Sequence, residues 1–291
     1  MNAVDLDRHF VPLRPDVEAL DWGAEMGRRY GGWLGWDELL TKRRVVLLAE
    51  ARSGKTEEFR MRAAALRDSG MAGFFLRVED LADGALVDGL TPEDELRFSD
   101  WKGGDAQGWF FLDSVDETRL NAKSVERALR HFRRDLSSAL DRASVLISCR
   151  ASDWKGTQDL NLIKNLLPLS VTRSPIEEVV ASVDELLLHP MLEDRSSSSA
   201  GEDRKEPDEL LTIVSLADLD SERRAVLARS AQVTDTETFI REIERQGLGT
   251  FAQRPGDLLE LADYWKAHGR FASFAEMTRF SIAQKLAERD T

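Results

Sequence analysis

The sequence is poor in cysteine and lacks long apolar runs. Cys149 is the only cysteine among 291 residues, which excludes an internal disulfide framework and predicts a reducing, cytoplasmic environment. No apolar stretch approaches the roughly 20 residues that a membrane-spanning helix needs. The N-terminal residues Met-Asn-Ala-Val-Asp-Leu-Asp lack a basic region followed by an apolar core, which argues against a signal peptide. We therefore expect a cytoplasmic protein that does not enter a membrane.

Basic residues are also in deficit. The chain has 40 Lys and Arg against 53 Asp and Glu, a formal net charge of −13, and a pI near 4.9. Nucleic-acid phosphates bind favourably to basic surfaces, so direct binding of nucleic acid is not expected. A local basic patch is nevertheless compatible with these totals. The four histidines are scattered and form no metal-ligand cluster. A hydrophobic content of 42% predicts a packed core.

The most informative stretch is residues 44–56. An apolar run, Val45–Leu48, is followed by Ala-Glu-Ala-Arg-Ser-Gly-Lys-Thr and then by a helical pattern that extends to about Arg67. Strand, tight loop and helix form the context that a phosphate-binding loop requires. The candidate nucleotide-binding residues here are Ala49, Glu50, Ala51, Arg52, Ser53, Gly54, Lys55 and Thr56.

This motif predicts a specific chemistry. Backbone N–H groups and the helix dipole would face phosphate, Lys55 would reach the β- and γ-phosphates, and the Thr56 hydroxyl would hold Mg²⁺. Ala49 stands where glycine is usual, which is tolerable only if the backbone there does not need a positive φ. Arg52 either adds charge for phosphate or points to solvent.

A second motif is the apolar run Trp-Phe-Phe-Leu that ends in Asp113. A strand that ends in aspartate puts a carboxylate at the sheet edge where ligands bind in open α/β sheets. We expect Asp113 to hold Mg²⁺, directly or through water. Asp116 and Glu117 would orient or deprotonate an attacking water, which suits hydrolysis better than transfer to a small acceptor.

A third motif is Ser148-Cys149-Arg150, at the end of another predicted strand. Arg150 could read the γ-phosphate through its planar guanidinium, and the alternative is an ordinary surface arginine. Cys149 fits a small, semi-buried residue better than a nucleophile because no histidine lies near it in the sequence.

Short apolar runs alternate with helical patterns over residues 41–173, which is typical of a parallel sheet. We predict an α/β fold in which a P-loop NTPase core, with a parallel sheet flanked by helices, occupies 41–217. A small all-helical module follows at 218–291, and an N-terminal extension precedes the core at 1–40. The strand candidates are Val45–Leu48, Gly73–Val78, Trp109–Asp113, Ser144–Ser148 and Leu211–Leu216.

The sequence also predicts features of several segments outside these motifs. Residues 80–107 look like an acidic insertion, and 194–209 look like a mobile polar loop. A helix with a mostly solvated arginine face is expected between the third and fourth strands, with subunit contact or phosphate sensing as the minority interpretation. The aromatic residues expected to make core contacts in the extension are Trp22, Tyr30, Trp33 and Trp36.

The helical module is predicted from start and stop signals. Asp220 or Ser221 can cap the first helix, and Thr234 with Glu237 forms a capping-box pattern for the second. Pro255 is a typical first residue for the third helix. A fourth helix after Ser273 would place Leu286 on its apolar stripe.

Taken together, these motifs resemble the NACHT branch of the signal-transducing (STAND) P-loop ATPases, and in particular large bacterial members tied to anti-phage defence. The resemblance covers about residues 40–290. It implies binding and hydrolysis of ATP with Mg²⁺, ADP retention, and homo-oligomerisation on activation. It also implies that Pro255, in the helical module, touches the adenine, although Gln253 stands where that element usually has glycine.

The resemblance does not establish how much of the protein this chain represents. It also does not establish how fast the chain hydrolyses nucleotide. Family members usually continue into a winged helix and a sensor region, so we expect a fragment, a split gene, or a core that works with a partner protein. A nucleotide-stabilised scaffold with negligible turnover is one alternative, motivated by Ala49 and Arg52. A DNA-handling AAA+ ATPase is a second, disfavoured by the net charge of −13. The absence of an Asn/Thr-Lys-x-Asp guanine motif favours ATP over GTP.

Overall fold

The computed structural model describes residues 4–13, 32–113, 122–169 and 211–289. It confirms the α/β class: a six-stranded sheet, parallel except at one edge, is flanked by helices and followed by an all-helical region. Within the described ranges, no helix combines the length and the apolar character that crossing a bilayer would require.

The predicted strands are present, and none of their bounds is shifted by more than one residue. The strands are β1 Phe10–Leu13, β2 Arg44–Leu48, β3 Ala72–Arg77, β4 Gly108–Asp113, β5 Ala143–Cys149 and β6 Thr212–Leu216. The helices before the last strand are α1 Trp36–Leu40, α2 Lys55–Asp68, α3 Val78–Asp83, α4 Pro92–Gly103, α5 Ala122–Leu136 and α6 Thr157–Leu166. Those after it are α7 Ser221–Ser230, α8 Thr236–Arg245, α9 Pro255–His268 and α10 Phe274–Arg289.

The order of strands across the sheet is β1-β6-β2-β5-β4-β3. The strand before the phosphate loop, β2, is therefore central, and β5 separates it from β4. Since β2, β4 and β5 are parallel, their carboxyl ends meet at one edge of the sheet, where ligands bind in open α/β folds. This order brings the three sequence motifs to one place.

The edge strand β1 was not predicted. Phe10–Leu13 pairs antiparallel with β6, and it contains Pro12. Its four residues are too few to show a pattern, and proline argues against a strand except at a sheet edge, which is where this one lies. The extension thus contributes a strand to the sheet.

Each face of the sheet carries its own apolar core. The phosphate-loop strand is fully buried, as a strand covered on both faces should be. One face packs on α3, α4, α5 and α6 through residues such as Phe110 and Phe132, and the other packs on α1 and α2 through residues such as Trp36 and Phe59. The helices α7–α10 enclose a separate cluster, which also takes in Leu6 from the N-terminal segment.

Some local expectations were wrong. Residues 80–107 fold into helices whose Phe98 and Trp101 join the main core, so this segment belongs to the core. Trp33 is 44% exposed, whereas Trp36 is buried as expected. Trp22, Tyr30 and the 194–209 segment lie outside the described residues.

The helical region follows the cap signals closely. Asp220 caps α7 through the Arg223 N–H, and Pro255 is the first residue of α9, as predicted. The second helix is capped by Asp235, through the Thr238 N–H at 3.0 Å, one residue after the Thr234 that the sequence favoured. Leu286 is exposed and does not join the apolar cluster.

Arg44, at the start of β2, is a buried charge that satisfies carbonyl groups. Its guanidinium donates to the carbonyl oxygens of Leu167 at 3.0 Å and Ala143 at 2.5 Å, among others. Burial, together with the neighbouring Arg43 charge, lowers the pKa of Arg44 to about 10. These contacts join the base of the central strand to the segments that end α6 and precede β5.

Replacing Arg44 with methionine is expected to lower the free energy of unfolding by about 2–4 kcal/mol, because buried carbonyl oxygens lose their donors. The measurement is chemical denaturation. Arg229→Met is a matched control: Arg229 is exposed and donates within its own helix, so its loss should stay below about 0.5 kcal/mol. Equal effects of the two substitutions would contradict the assigned role of Arg44.

Candidate functional site

The phosphate loop lies between β2 and α2, at the carboxyl edge of the sheet. The Ala49 N–H donates to the Cys149 carbonyl at 3.1 Å, which extends the pairing of β2 with β5 into the loop. Gly54 precedes α2 with a φ of +91°, a left-handed conformation in which glycine has no steric penalty. No side chain among the described residues caps α2, so its first N–H groups are available to an anion.

The substitution of glycine by Ala49 carries no backbone penalty. Ala49 is not among the described residues that have a positive φ, which meets the condition set by the sequence. Besides Gly54, the left-handed position in the loop is Arg52, with a φ of +66°. A non-glycine residue there costs about 1–2 kcal/mol, so other contacts must hold it.

Lys55 is buried at the first position of α2. Its ammonium group donates to the carbonyl oxygens of Ala49 at 2.7 Å and Glu50 at 3.1 Å. The cation therefore lies inside the curve of the loop, on the side where the backbone folds around it. This position suits transfer of its hydrogen bonds to a phosphate oxygen.

Asp113 is the meeting point of the other two motifs. Its carboxylate is 1% exposed and accepts a hydrogen bond from the Thr56 hydroxyl at 2.8 Å on one oxygen. The other oxygen accepts from the Ser148 hydroxyl at 2.6 Å. The ends of α2, β4 and β5 thus converge on one carboxylate, as the strand order requires.

The donor set fits Mg²⁺ and phosphate. A carboxylate beside a threonine hydroxyl supplies the hard oxygen ligands that Mg²⁺ prefers. Lys55 and the uncapped start of α2 supply positive charge and donors for a phosphate. In addition, the Ser53 hydroxyl in the loop is buried and has no hydrogen-bond partner within the described residues, so the loop has an unused polar atom.

Arg8 is a loop contact that the sequence did not reveal. It is 1% exposed and donates to the Ser53 carbonyl at 3.1 Å and the Ala217 carbonyl at 2.5 Å. Burial lowers the pKa of this guanidinium, while the charge of Glu58 acts in the opposite direction. Arg8 thereby joins the N-terminal segment, the phosphate loop and the residue that follows β6. It lies outside every motif in the sequence.

The helical region rests on the loop. A β-carbon on Gly54 would lie 3.4 Å from the Pro255 Cγ, so Pro255 packs directly over the loop glycine. The Gly256 N–H donates to the Arg52 carbonyl at 3.0 Å. The structure thus brings Pro255 to the predicted site through the loop.

Of the remaining candidate residues, Arg150 and Cys149 lie in the described part of the chain, and Asp116 and Glu117 do not. Cys149 ends β5 at the same sheet edge, Arg150 follows it, and both are half-buried. The Cys149 thiol donates to the Arg150 carbonyl at 3.3 Å. Asp116 and Glu117 lie outside the described residues, between Asp113 and α5.

The arginine face of α5 is present and is mostly engaged with neighbours. Arg130 pairs with Glu126 at 2.6 Å, and Arg133 donates to the Asn165 carbonyl at 3.1 Å. The face lies on the helix that covers the sheet, and its charges stay at the surface. This agrees with a solvated face.

Comparisons with known proteins add little beyond this geometry. No protein-family model matches the chain, and no curated protein matches it significantly. Among solved structures, the chain is similar to a Walker-type ATPase of Pyrococcus abyssi at 13% sequence identity. That match has a TM-score of 0.42 and covers 87% of this chain and 71% of the other. A similarity of this size carries no conclusion about function.

Proposed function

We propose that the chain binds a nucleoside triphosphate with Mg²⁺ at the loop 49–56. The observation that carries this proposal is the convergence of Lys55, Thr56 and Asp113 at the carboxyl edge of the sheet. Lys55 and the start of α2 would hold the phosphates, and Thr56 with Asp113 would hold the metal. Bound Mg²⁺ would neutralise charge on the phosphate oxygens.

We further propose that ATP is the nucleotide and that it is hydrolysed. Glu117, with Asp116, would orient and deprotonate the water, and Arg150 would contact the terminal phosphate from the end of β5. Support for this part comes from the sequence order, since Asp116 and Glu117 follow Asp113 within four residues.

At the level of the whole protein, we propose a cytoplasmic switch of the NACHT/STAND kind, acting in bacterial anti-phage defence. Exchange of ADP for ATP would move the helical module 218–291 against the core 41–217, allow homo-oligomerisation, and engage a partner or sensor region. The packing of Pro255 over Gly54 supports this, because a change in the bound phosphates would alter the contact between the loop and α9.

A scaffold that holds nucleotide with negligible turnover is the second candidate. Arg52 favours it, since this loop residue is anchored to α9 by its backbone carbonyl and its side chain. A loop held in this way could retain nucleotide without the movement that turnover and exchange need.

Phosphate release from ATP, measured beside Glu117→Gln, separates the two candidates. For the switch, wild type releases phosphate, and Glu117→Gln binds ATP normally but slows turnover by about 100-fold, the size of a general-base contribution. Asp141→Asn, which changes an exposed acid away from the loop, is the control and should keep the wild-type rate. Retention of nucleotide without phosphate release in wild type would instead identify the scaffold.

A further inference from the structure

Arg52 makes an unusual set of contacts for a phosphate-loop residue. Its side chain reaches the first two turns of α9. The guanidinium Nη2 donates to the Gly256 carbonyl at 2.5 Å and pairs with Glu260 at 2.5 Å, while Nε pairs with Asp257 at 2.9 Å. These side-chain contacts of the loop arginine are therefore made with the helical region.

The backbone repeats this connection. The Gly256 N–H donates to the Arg52 carbonyl at 3.0 Å, so the two residues exchange hydrogen bonds in both directions. A β-carbon on Gly256 would lie 2.9 Å from the Arg52 Cβ, which is closer than real contacts of this kind. Position 256 therefore requires glycine for the loop and α9 to come together.

The contact continues into the last helix. Glu260 also binds Lys285 of α10, so one carboxylate joins the loop arginine to both α9 and α10. Burial alone would raise the pKa of Glu260, but hydrogen bonds from Lys285 and Arg52 outweigh it and lower that pKa. An isolated exposed ion pair contributes little to stability, whereas a network of ion pairs and backbone hydrogen bonds contributes more.

These contacts are made by the loop residue whose backbone is strained. Arg52 has a φ of +66°, a conformation that a free arginine rarely adopts. The contacts that hold it there on the side of α9 come from Gly256, Asp257 and Glu260. Without α9, the loop would be expected to relax away from the shape that presents its N–H groups to phosphate.

We propose that Arg52 is a positioning residue through which the helical region sets the shape of the phosphate loop. Its partners Asp257 and Glu260 hold the loop in its anion-binding conformation without touching phosphate. Because coupling is reciprocal, a ligand on the loop must favour the docked arrangement of α9 by the same factor. The consequence for nucleotide rests on the proposed function, whereas the effect on loop shape does not.

The test uses hydrogen exchange of the loop amides 50–56 in the full chain without ligand. The double variant Asp257→Asn/Glu260→Gln should exchange about tenfold faster there, a size typical of coupling within one network. In an Arg52→Gly background the same two substitutions should change nothing further, because glycine adopts the left-handed conformation without support. Asp263→Asn, which breaks the partly exposed Asp263–Lys266 pair on the same helix, is the matched control.

Two outcomes would overturn the inference: unchanged exchange in the double variant, or an equal effect of the double substitution with and without Arg52. Titration with MgADP keeps the inference distinct from the proposed function. If wild type binds no MgADP but its loop amides respond as described, the function fails and the positioning role stands. If wild type binds MgADP and the double variant shows neither faster exchange nor weaker binding, the positioning role fails and the function stands.

Discussion

Replacing Lys55 with alanine is expected to weaken the binding of ATP and of ADP by at least about 100-fold, which corresponds to roughly 2.7 kcal/mol. The ammonium group lies inside the loop, on the carbonyl oxygens of Ala49 and Glu50, and the loop holds it close to the start of α2. Hydrogen bonds between charged groups are worth about 1.5–3 kcal/mol each, and this ammonium would face several phosphate oxygens. Equilibrium titration of the purified variant measures the effect.

Lys42→Ala is the matched control for this substitution. Lys42 is exposed and lies just before β2, so its loss should leave the affinity within about twofold of wild type. Circular dichroism and a melting curve establish whether Lys55→Ala remains folded. Undiminished nucleotide affinity in a folded Lys55→Ala protein would show that the loop is not the nucleotide site.

Replacing Asp113 with asparagine is expected to remove the effect of Mg²⁺ and to reduce turnover by about 1,000-fold, or roughly 4 kcal/mol of activation free energy. The carboxylate accepts hydrogen bonds from Thr56 and Ser148 and carries the charge that a metal ion would need. Asparagine retains the size but not the charge. Affinity for ATP without Mg²⁺ should therefore stay near that of wild type.

Asp105→Asn provides the matched control, because Asp105 is exposed and lies just before β4, at the opposite end of that strand. Asp113 is buried, so its replacement could also disturb folding. Thr56→Val and Thr56→Ser serve as a second pair, in which only valine should lose the response to Mg²⁺. Full turnover in a folded Asp113→Asn protein would exclude the assigned metal role.

Much of the sheet and of its functional edge could be predicted from sequence. Runs such as Val45–Leu48 are continuous and apolar because they are covered on both faces, and this pattern is typical of strands in the middle of a parallel sheet. The sequence indicates Lys55, in the loop after one such run, and Asp113, directly after another. Their convergence then follows from the rule that parallel strands present their carboxyl ends at one edge.

The contacts between distant segments could not be predicted in the same way. Arg8 reaches the loop across 45 positions, and neither its residue type nor its neighbours indicate burial. The sequence predicts that Arg52 faces phosphate or solvent, yet its partner Gly256 is 204 positions away, in α9. The edge strand β1 was missed because four residues with a proline carry almost no periodic signal.

The measurement that tests the central claim most directly is calorimetric titration of the purified wild-type chain with ATP, with and without Mg²⁺. We predict saturable binding of one nucleotide per chain, strengthened by Mg²⁺ and lost in Lys55→Ala. Absence of binding by both ATP and ADP at millimolar concentration, in a chain shown to be folded, would contradict it.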